Sequence, residues 1–118
     1  MPHMLLIHEP VGQRAGRPEA EGRLLYERML DWGGELRQRG LLLAAESLTG
    51  TEKAARVSTP GGKARIVDGP FAEAKEMVGG FFLVDVETHE EAVALAQQCP
   101  AAEWATVEVR RLGPCFMR

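Results

Sequence analysis

The segment 67-VDGPFAEAKEMVGGFFLVDV-86 decides how the rest of the chain is arranged, because it joins a sharp turn to a long strand. Asp68-Gly69-Pro70 predicts the turn, since glycine adopts backbone angles closed to other residues and proline fixes its own φ. The apolar run from Val78 to Val86 predicts the strand. Three charged side chains follow the turn closely, at Glu73, Lys75 and Glu76. The turn is therefore a candidate site at one end of a sheet.

Other elements follow from hydrophobic spacing and from helix and turn signals. Thr88 to Glu91 has the spacing of a capping box, which predicts the start of the second helix, and Pro100 ends it. The remaining predicted elements are a strand at His3–Glu9, a helix from Pro18 to a stop at Gly40, a strand at Leu41–Ala45, a hairpin of 55–58 and 64–67, and a strand at Ala105–Arg111.

The first helix carries an apolar stripe with helical spacing, formed by Leu25, Met29, Trp32 and Leu36. Gly33-Gly34 interrupts this helix, and each glycine costs roughly 1 kcal/mol relative to alanine in a helix interior. The pair indicates either close packing by another backbone or a kink.

The order of elements predicts an α+β, ferredoxin-like fold: an antiparallel sheet with two helices on one face and an extra hairpin. In the long strand, Phe81 and Leu83 alternate with Phe82 and Val84, so both faces are apolar. The first strand is apolar on both faces as well. Because the helices can cover only one face, a face-to-face homodimer is expected to bury the other.

Composition limits the classes of function. The chain has 118 residues, 45% hydrophobic and 26% charged, with a net charge of −3, as in one ordinary globular domain. Acidic net charge gives no general attraction to nucleic acid. No apolar run reaches the ~18 residues of a membrane span, so no membrane partner and a cytoplasmic location are expected. Cys99 and Cys115 are predicted to be free thiols.

Asp68 supports two interpretations. As a structural residue, its carboxylate accepts backbone N–H groups of its own turn. As a catalytic residue, it is a general acid or base whose charge state Glu73 or Lys75 tunes. His8 is the second catalytic candidate, provided that the first strand neighbours the strand that enters Asp68. Phe71, Glu73 and Lys75 are the candidate ligand-binding residues.

The remaining polar residues offer little chemistry. His3 and His89 are expected to be exposed, and three scattered histidines lack metal-ligand spacing, so no metal and no cofactor are predicted. Gly61-Gly62-Lys63 is a hairpin turn instead of a phosphate-binding loop. The aromatic strand lacks the basic and aromatic positions of an RNA-recognition motif, so no nucleic acid is an expected partner.

The run Val67-Asp68-Gly69-Pro70-Phe71-Ala72-Glu73, followed by Lys75-Glu76 and Gly79-Gly80-Phe81, resembles the signature of the DGPF proteins, a branch of the YCII-related family. The similarity extends to the first and last strands. The resemblance implies a ferredoxin-like domain of the dimeric α+β barrel type, with unknown activity, sometimes joined to sigma-factor-like regions.

The wider YCII-related family is described as carrying a histidine and an aspartate. Asp68 matches the aspartate, whereas the first helix has Tyr26-Glu27-Arg28-Met29 where the histidine is sought. His8 could take its place only if the geometry brings it to Asp68.

Two functions are therefore expected. The first is a homodimeric small-molecule-binding or catalytic module with a pocket between sheet and helices near Asp68. The second is a non-enzymatic interaction module with a protein partner in sigma-factor-dependent transcription. A pocket lined by His8, Asp68 and aromatic residues favours the first, and a filled interior with an exposed apolar groove favours the second.

Overall fold

A computed structural model describes all residues, 1–118, and shows an α+β fold. Two helices, α1 at Glu19–Gln38 and α2 at His89–Gln98, accompany six strands. The strands are β1 at His3–Pro10, β2 at Leu42–Ser47, β3 at Ala55–Ser58, β4 at Arg65–Asp68, β5 at Glu76–Val84 and β6 at Thr106–Arg111.

Four strands form one antiparallel sheet in the order β2-β5-β1-β6. The two central strands, β1 and β5, are the most apolar, because they have neighbours on both sides. This order with two helices confirms the predicted ferredoxin-like fold. The sheet of one chain stays open and does not close into a barrel.

Both helices contribute to one core on the same sheet face. Thr88 caps α2 as predicted, since its hydroxyl accepts the backbone N–H of Glu91 at 3.1 Å. The buried core consists of Leu5, Ile7, Trp32, Leu36, Phe82, Val84, Val86, Ala92, Leu95, Ala96, Cys99 and Ala101. Only the C-terminal half of α1 reaches this core, and that half contains its two buried large side chains, Trp32 and Leu36.

The Gly33-Gly34 pair lies within an uninterrupted α1, so it does not break the helix. A Cβ at Gly33 would lie 3.4 Å from Cε1 of Phe82. The close neighbour is thus an aromatic side chain of the sheet, not a backbone. A Cβ at Gly34 would have nothing within 4 Å.

The second face of the sheet has no helix over it. Along β1 the burial alternates, with Leu5 buried and Met4 and Leu6 only half-buried. On β5, Phe81 and Leu83 are also half-buried. This open face, defined by Met4, Leu6, Phe81 and Leu83, is the one that the predicted homodimer would cover.

The hairpin of β3 and β4 forms a separate two-stranded sheet. All eight of its residues are exposed, including the directly paired Val57 and Ile66. It therefore carries the Asp68 turn outside the main sheet.

His3 corrects an expectation. Its side chain is fully buried and not exposed, with Nδ1 donating to the carbonyl of Val86 at 3.1 Å and Nε2 without a partner. The first residue of β1 lies on the face that α2 covers, which proximity to the N-terminus could not reveal.

Candidate functional site

Asp68 lies at the exposed end of β4, and its carboxylate makes no hydrogen bond. The expected turn contacts of this side chain are therefore absent. The turn is instead attached through the main chain, because the N–H of Gly69 donates to the carbonyl of Ala54 at 2.7 Å. A hydrogen bond between backbone groups thus replaces the predicted hydrogen bonds of the Asp68 side chain.

Gly69 is required for close approach and not for an unusual φ. Its φ is not positive, and its peptide bond to Pro70 is cis. A Cβ at this position would lie 1.9 Å from the carbonyl oxygen of Thr51. Since that atom belongs to the backbone, no side-chain rotation could relieve the clash.

His8 does not pair with Asp68. The neighbours of β1 are β5 and β6, whereas β4 pairs only with β3, so the strand that enters Asp68 is not adjacent to His8. His8 Nε2 instead donates to Oε1 of Glu108 at 2.6 Å. The condition for a relay between His8 and Asp68 is not met within one chain.

The three predicted ligand-binding residues lie beside the hairpin. Phe71 is buried, with the guanidinium of Arg56 3.9 Å above its ring centroid. Glu73 is exposed and lies 3.9 Å from Arg56. Lys75 is exposed, and its carbonyl accepts the N–H of Val11. Phe71 and Arg56 thus form a small packing cluster that holds the turn against the hairpin.

A cavity of about 670 Å³ lies elsewhere, between α1 and the sheet face that α1 covers. Its lining includes none of the five predicted site residues. Apolar side chains from the helix, the sheet and the segment after α2 line it, among them Leu25, Met29, Ile7, Leu42, Phe82 and Trp104. It exists because the N-terminal half of α1 stands apart from the sheet.

Two glycines at the walls of this cavity have different surroundings. Gly34 of α1 and Gly79 of β5 both line it. A Cβ at Gly79 would lie 2.4 Å from Oε2 of Glu9 and 2.9 Å from Nη2 of Arg14. The absence of a side chain at Gly79 therefore makes room for the ion pair of Glu9 and Arg14.

That ion pair forms the polar wall of the cavity. Arg14 donates from Nε to the carboxylate of Glu9, whose side chain is only 8% exposed. It also donates to the carbonyl of Leu48 at 2.7 Å and to that of Gly79 at 3.3 Å. Arg14 thereby joins the loop after β1 to β5 and to the residue that follows β2.

Other charged groups at the cavity differ in whether they have partners. Arg23 pairs with Glu19 at 3.0 Å on the exposed surface of α1. The side chains of Arg17, Arg37 and Glu46 form no ion pair and no hydrogen bond, although all three line the cavity. Along the cavity wall, two arginines but only one carboxylate are therefore without a partner.

The far wall is tied to α1. Arg28 lies 5.5 Å from the ring centroid of Trp104 and pairs with Glu103, which lowers the pKa of that carboxyl group. Gln13 Nε2 donates to the carbonyl of Trp104 at 2.8 Å. These contacts fix Trp104 at the cavity from two sides.

Other chemistry has no geometric support. No three side chains of His, Cys, Asp or Glu gather where they could hold a metal ion. Cys99 and Cys115 are both free, and burial raises the pKa of the Cys99 thiol to about 11, so its nucleophilic thiolate is scarce at neutral pH. Neither helix has the length and apolar character needed to cross a bilayer.

The sequence does contain a signal for this cavity. Gly33-Gly34 interrupts an amphipathic helix and Gly79-Gly80 interrupts an apolar strand, and all four residues line the cavity. Two glycine pairs in elements that disfavour glycine indicate a place where side chains are kept out.

Comparison with known proteins gives two findings. The profile of the YCII-related domain matches residues 1–115. An uncharacterised protein of Rhizobium meliloti (strain 1021) is 36% identical over 78 residues, which cover 64% of this chain and 63% of that protein. The alignment thus spans a little less than two thirds of the relative.

Proposed function

We propose, from the premise that this chain belongs to the YCII-related domain family, that it is a small-molecule-binding module. Its ligand would occupy the cavity between α1 and the sheet. The observation that carries this proposal is Gly34, a helical glycine that lines the cavity and has nothing within 4 Å of an added Cβ.

Gly34 has no evident structural reason to be glycine. Its φ is not positive, and no neighbour would clash with alanine. Glycine nevertheless costs about 1 kcal/mol relative to alanine in a helix. A local loss of stability without compensating packing is typical of a functional position. Keeping the cavity wall open is the function that the position suggests.

The size and lining of the cavity support ligand binding. Its volume of about 670 Å³ falls within the range of known small-molecule pockets, which is roughly 300–1,000 Å³. Such pockets combine apolar walls with a few polar groups. Here Phe82 and Trp104 belong to the apolar wall, and Arg17 is one of the polar groups.

Binding has more support than catalysis. The cavity contains one largely buried carboxylate, Glu9, which Arg14 already engages. Proton transfer by Asp68 would have to occur outside this cavity, at an exposed position. The alternative role in transcription rests on the resemblance alone. The cavity lining does not include His8 or Asp68, but it does include Phe82 and Trp104, and these aromatic side chains support the ligand-binding role.

A neutral apolar dye, N-phenylnaphthylamine, tests the proposal. Wild type is expected to bind one dye per chain, and Gly34→Phe should weaken binding about tenfold or more, because the ring would occupy the cavity. Fluorescence titration gives both affinities. Ala20→Phe is the matched control, since Ala20 is an exposed residue of the same helix outside the cavity lining. Equal binding by wild type and a folded Gly34→Phe variant would contradict the proposal.

We also infer that the protein is a homodimer joined through the open face. Covering apolar surface contributes about 2.5 kcal/mol for each ~100 Å². Met4, Leu6, Phe81 and Leu83 provide a contiguous patch across the two central strands. The exposed Val57 and Ile66 pair of the hairpin offers a second apolar surface to a partner.

Sedimentation equilibrium at micromolar concentration should give twice the chain mass of 12.9 kDa. Leu6→Lys is expected to give a folded monomer. Within the chain, the new ammonium lies opposite Glu108 of β6, which can pair with it. In a dimer, the same charge would be buried in the centre of the apolar face, which disfavours association. Circular dichroism verifies that the variant is folded. A wild-type protein that sediments as a monomer would disprove the inference.

A further inference from the structure

We propose that the ligand of this cavity is a monoanion with an apolar body, and that its anionic group pairs with Arg17. This inference rests on the proposed binding function and adds the chemical class of the ligand. It comes from the charge distribution along the cavity wall.

Arg17 is the half-buried arginine without an acceptor. Arg14 and Arg23, which line the same cavity, are both occupied by carboxylates. The guanidinium of Arg17 has five N–H donors and makes no hydrogen bond or ion pair, although its surroundings exclude part of the water. A carboxylate or sulfonate of a ligand would supply the missing acceptors in bidentate geometry.

The Arg17 side chain extends along the cavity wall. Its Cδ lies 3.8 Å from where a Cβ of Gly22 would be, over the first turns of α1. Gly22 also lines the cavity, and so do Leu25 and Tyr26 on the following turn. An anion at Arg17 would therefore have its apolar body beside these side chains and deeper against Phe82.

One anionic group fits better than several. Arg17 precedes the N-terminus of α1, whereas Arg37 is an exposed residue near its C-terminal end. The 20 residues of this helix span about 30 Å, so Arg37 could not share a small group with Arg17. Glu46 has no cationic partner and would repel a second anion near the end of β2. Polyphosphates are thus disfavoured, whereas aryl or alkyl acids suit the lining.

Two dyes with the same ring system test this inference. Anilinonaphthalene sulfonate carries an anionic group, and N-phenylnaphthylamine does not. Wild type should bind the sulfonate about tenfold more tightly than the neutral dye at low salt. Arg17→Gln should weaken binding of the sulfonate about tenfold, whereas the affinity for the neutral dye should stay within about twofold of the wild-type value. Arg39→Gln is the matched control, because Arg39 is an exposed arginine outside the cavity lining, and it should change neither affinity by more than about twofold. Decanoate should displace the neutral dye at lower concentration than decanol, and Arg17→Gln should abolish that difference.

The outcomes separate the inference from the function on which it rests. If Gly34→Phe blocks both dyes but the wild type does not prefer the anion, the cavity binds ligands and the monoanion inference is overturned. An equal effect of Arg17→Gln on both dyes also overturns it. If a folded Gly34→Phe variant blocks neither dye, the binding function itself fails.

Discussion

Gly69→Ala is expected to lower the free energy of unfolding by about 3 kcal/mol, the upper end of the cost of overpacking, and the melting temperature by about 10 °C. The added Cβ would lie 1.9 Å from the carbonyl oxygen of Thr51. The backbone must therefore separate, which also breaks the bond from Gly69 N–H to the carbonyl of Ala54. Thermal unfolding followed by circular dichroism measures the loss, and hydrogen exchange at Gly69 shows whether the turn has opened.

Two variants serve as controls for this prediction. Gly34→Ala adds the same methyl group where nothing lies within 4 Å, so it should stabilise the protein by about 1 kcal/mol. Asp68→Ala should stay within about 0.5 kcal/mol of wild type, because the exposed carboxylate makes no hydrogen bond. If Gly69→Ala has the same melting temperature as wild type, Thr51 and Gly69 are not packed together.

Arg14→Met is expected to destabilise the protein by about 3 kcal/mol, since it leaves a buried carboxylate without its counter-charge. Glu9 is only 6% exposed, and Arg14 is its sole ionic partner. The change also removes the donors to the carbonyls of Leu48 and Gly79. Urea unfolding gives the free energy, and dye titration should show weaker binding because these contacts shape one end of the cavity.

The double variant Glu9→Met with Arg14→Met distinguishes loss of charge balance from loss of packing. Removing both charges is expected to restore part of the stability lost by Arg14→Met alone. A double-mutant cycle measures the coupling between the two side chains. If the two single losses simply add, Glu9 and Arg14 do not interact as described.

Local patterns were sufficient for most of the fold. Thr88 to Glu91 predicted the start of α2, and the strands and helices occur in the predicted order with ends that differ by one or two residues. These features depend on neighbours in sequence, because a capping residue and an amphipathic period act within a few residues. The family resemblance pointed to the same fold, and the profile match agrees with it.

The candidate site was much less predictable. Charged residues near the Asp68 turn suggested a site, but β4 pairs only with β3 and carries that turn away from the main sheet. Pairing between strands far apart in sequence sets such distances, and His8 lies beside Val78 and Thr106 for that reason. Local composition contains no information about which strands become neighbours.

Local sequence patterns were enough to establish the elements, the single apolar core and the two-sided apolar strands that motivate the homodimer. Three features became visible only once the chain was folded: α1 stands apart from the sheet along its N-terminal half, Glu9 and Arg14 meet there, and Arg17 is left without a partner. The physical reason is that secondary structure arises from short-range bonds and periodicity. A cavity arises from the distance between packed elements, which only the whole set of long-range contacts fixes.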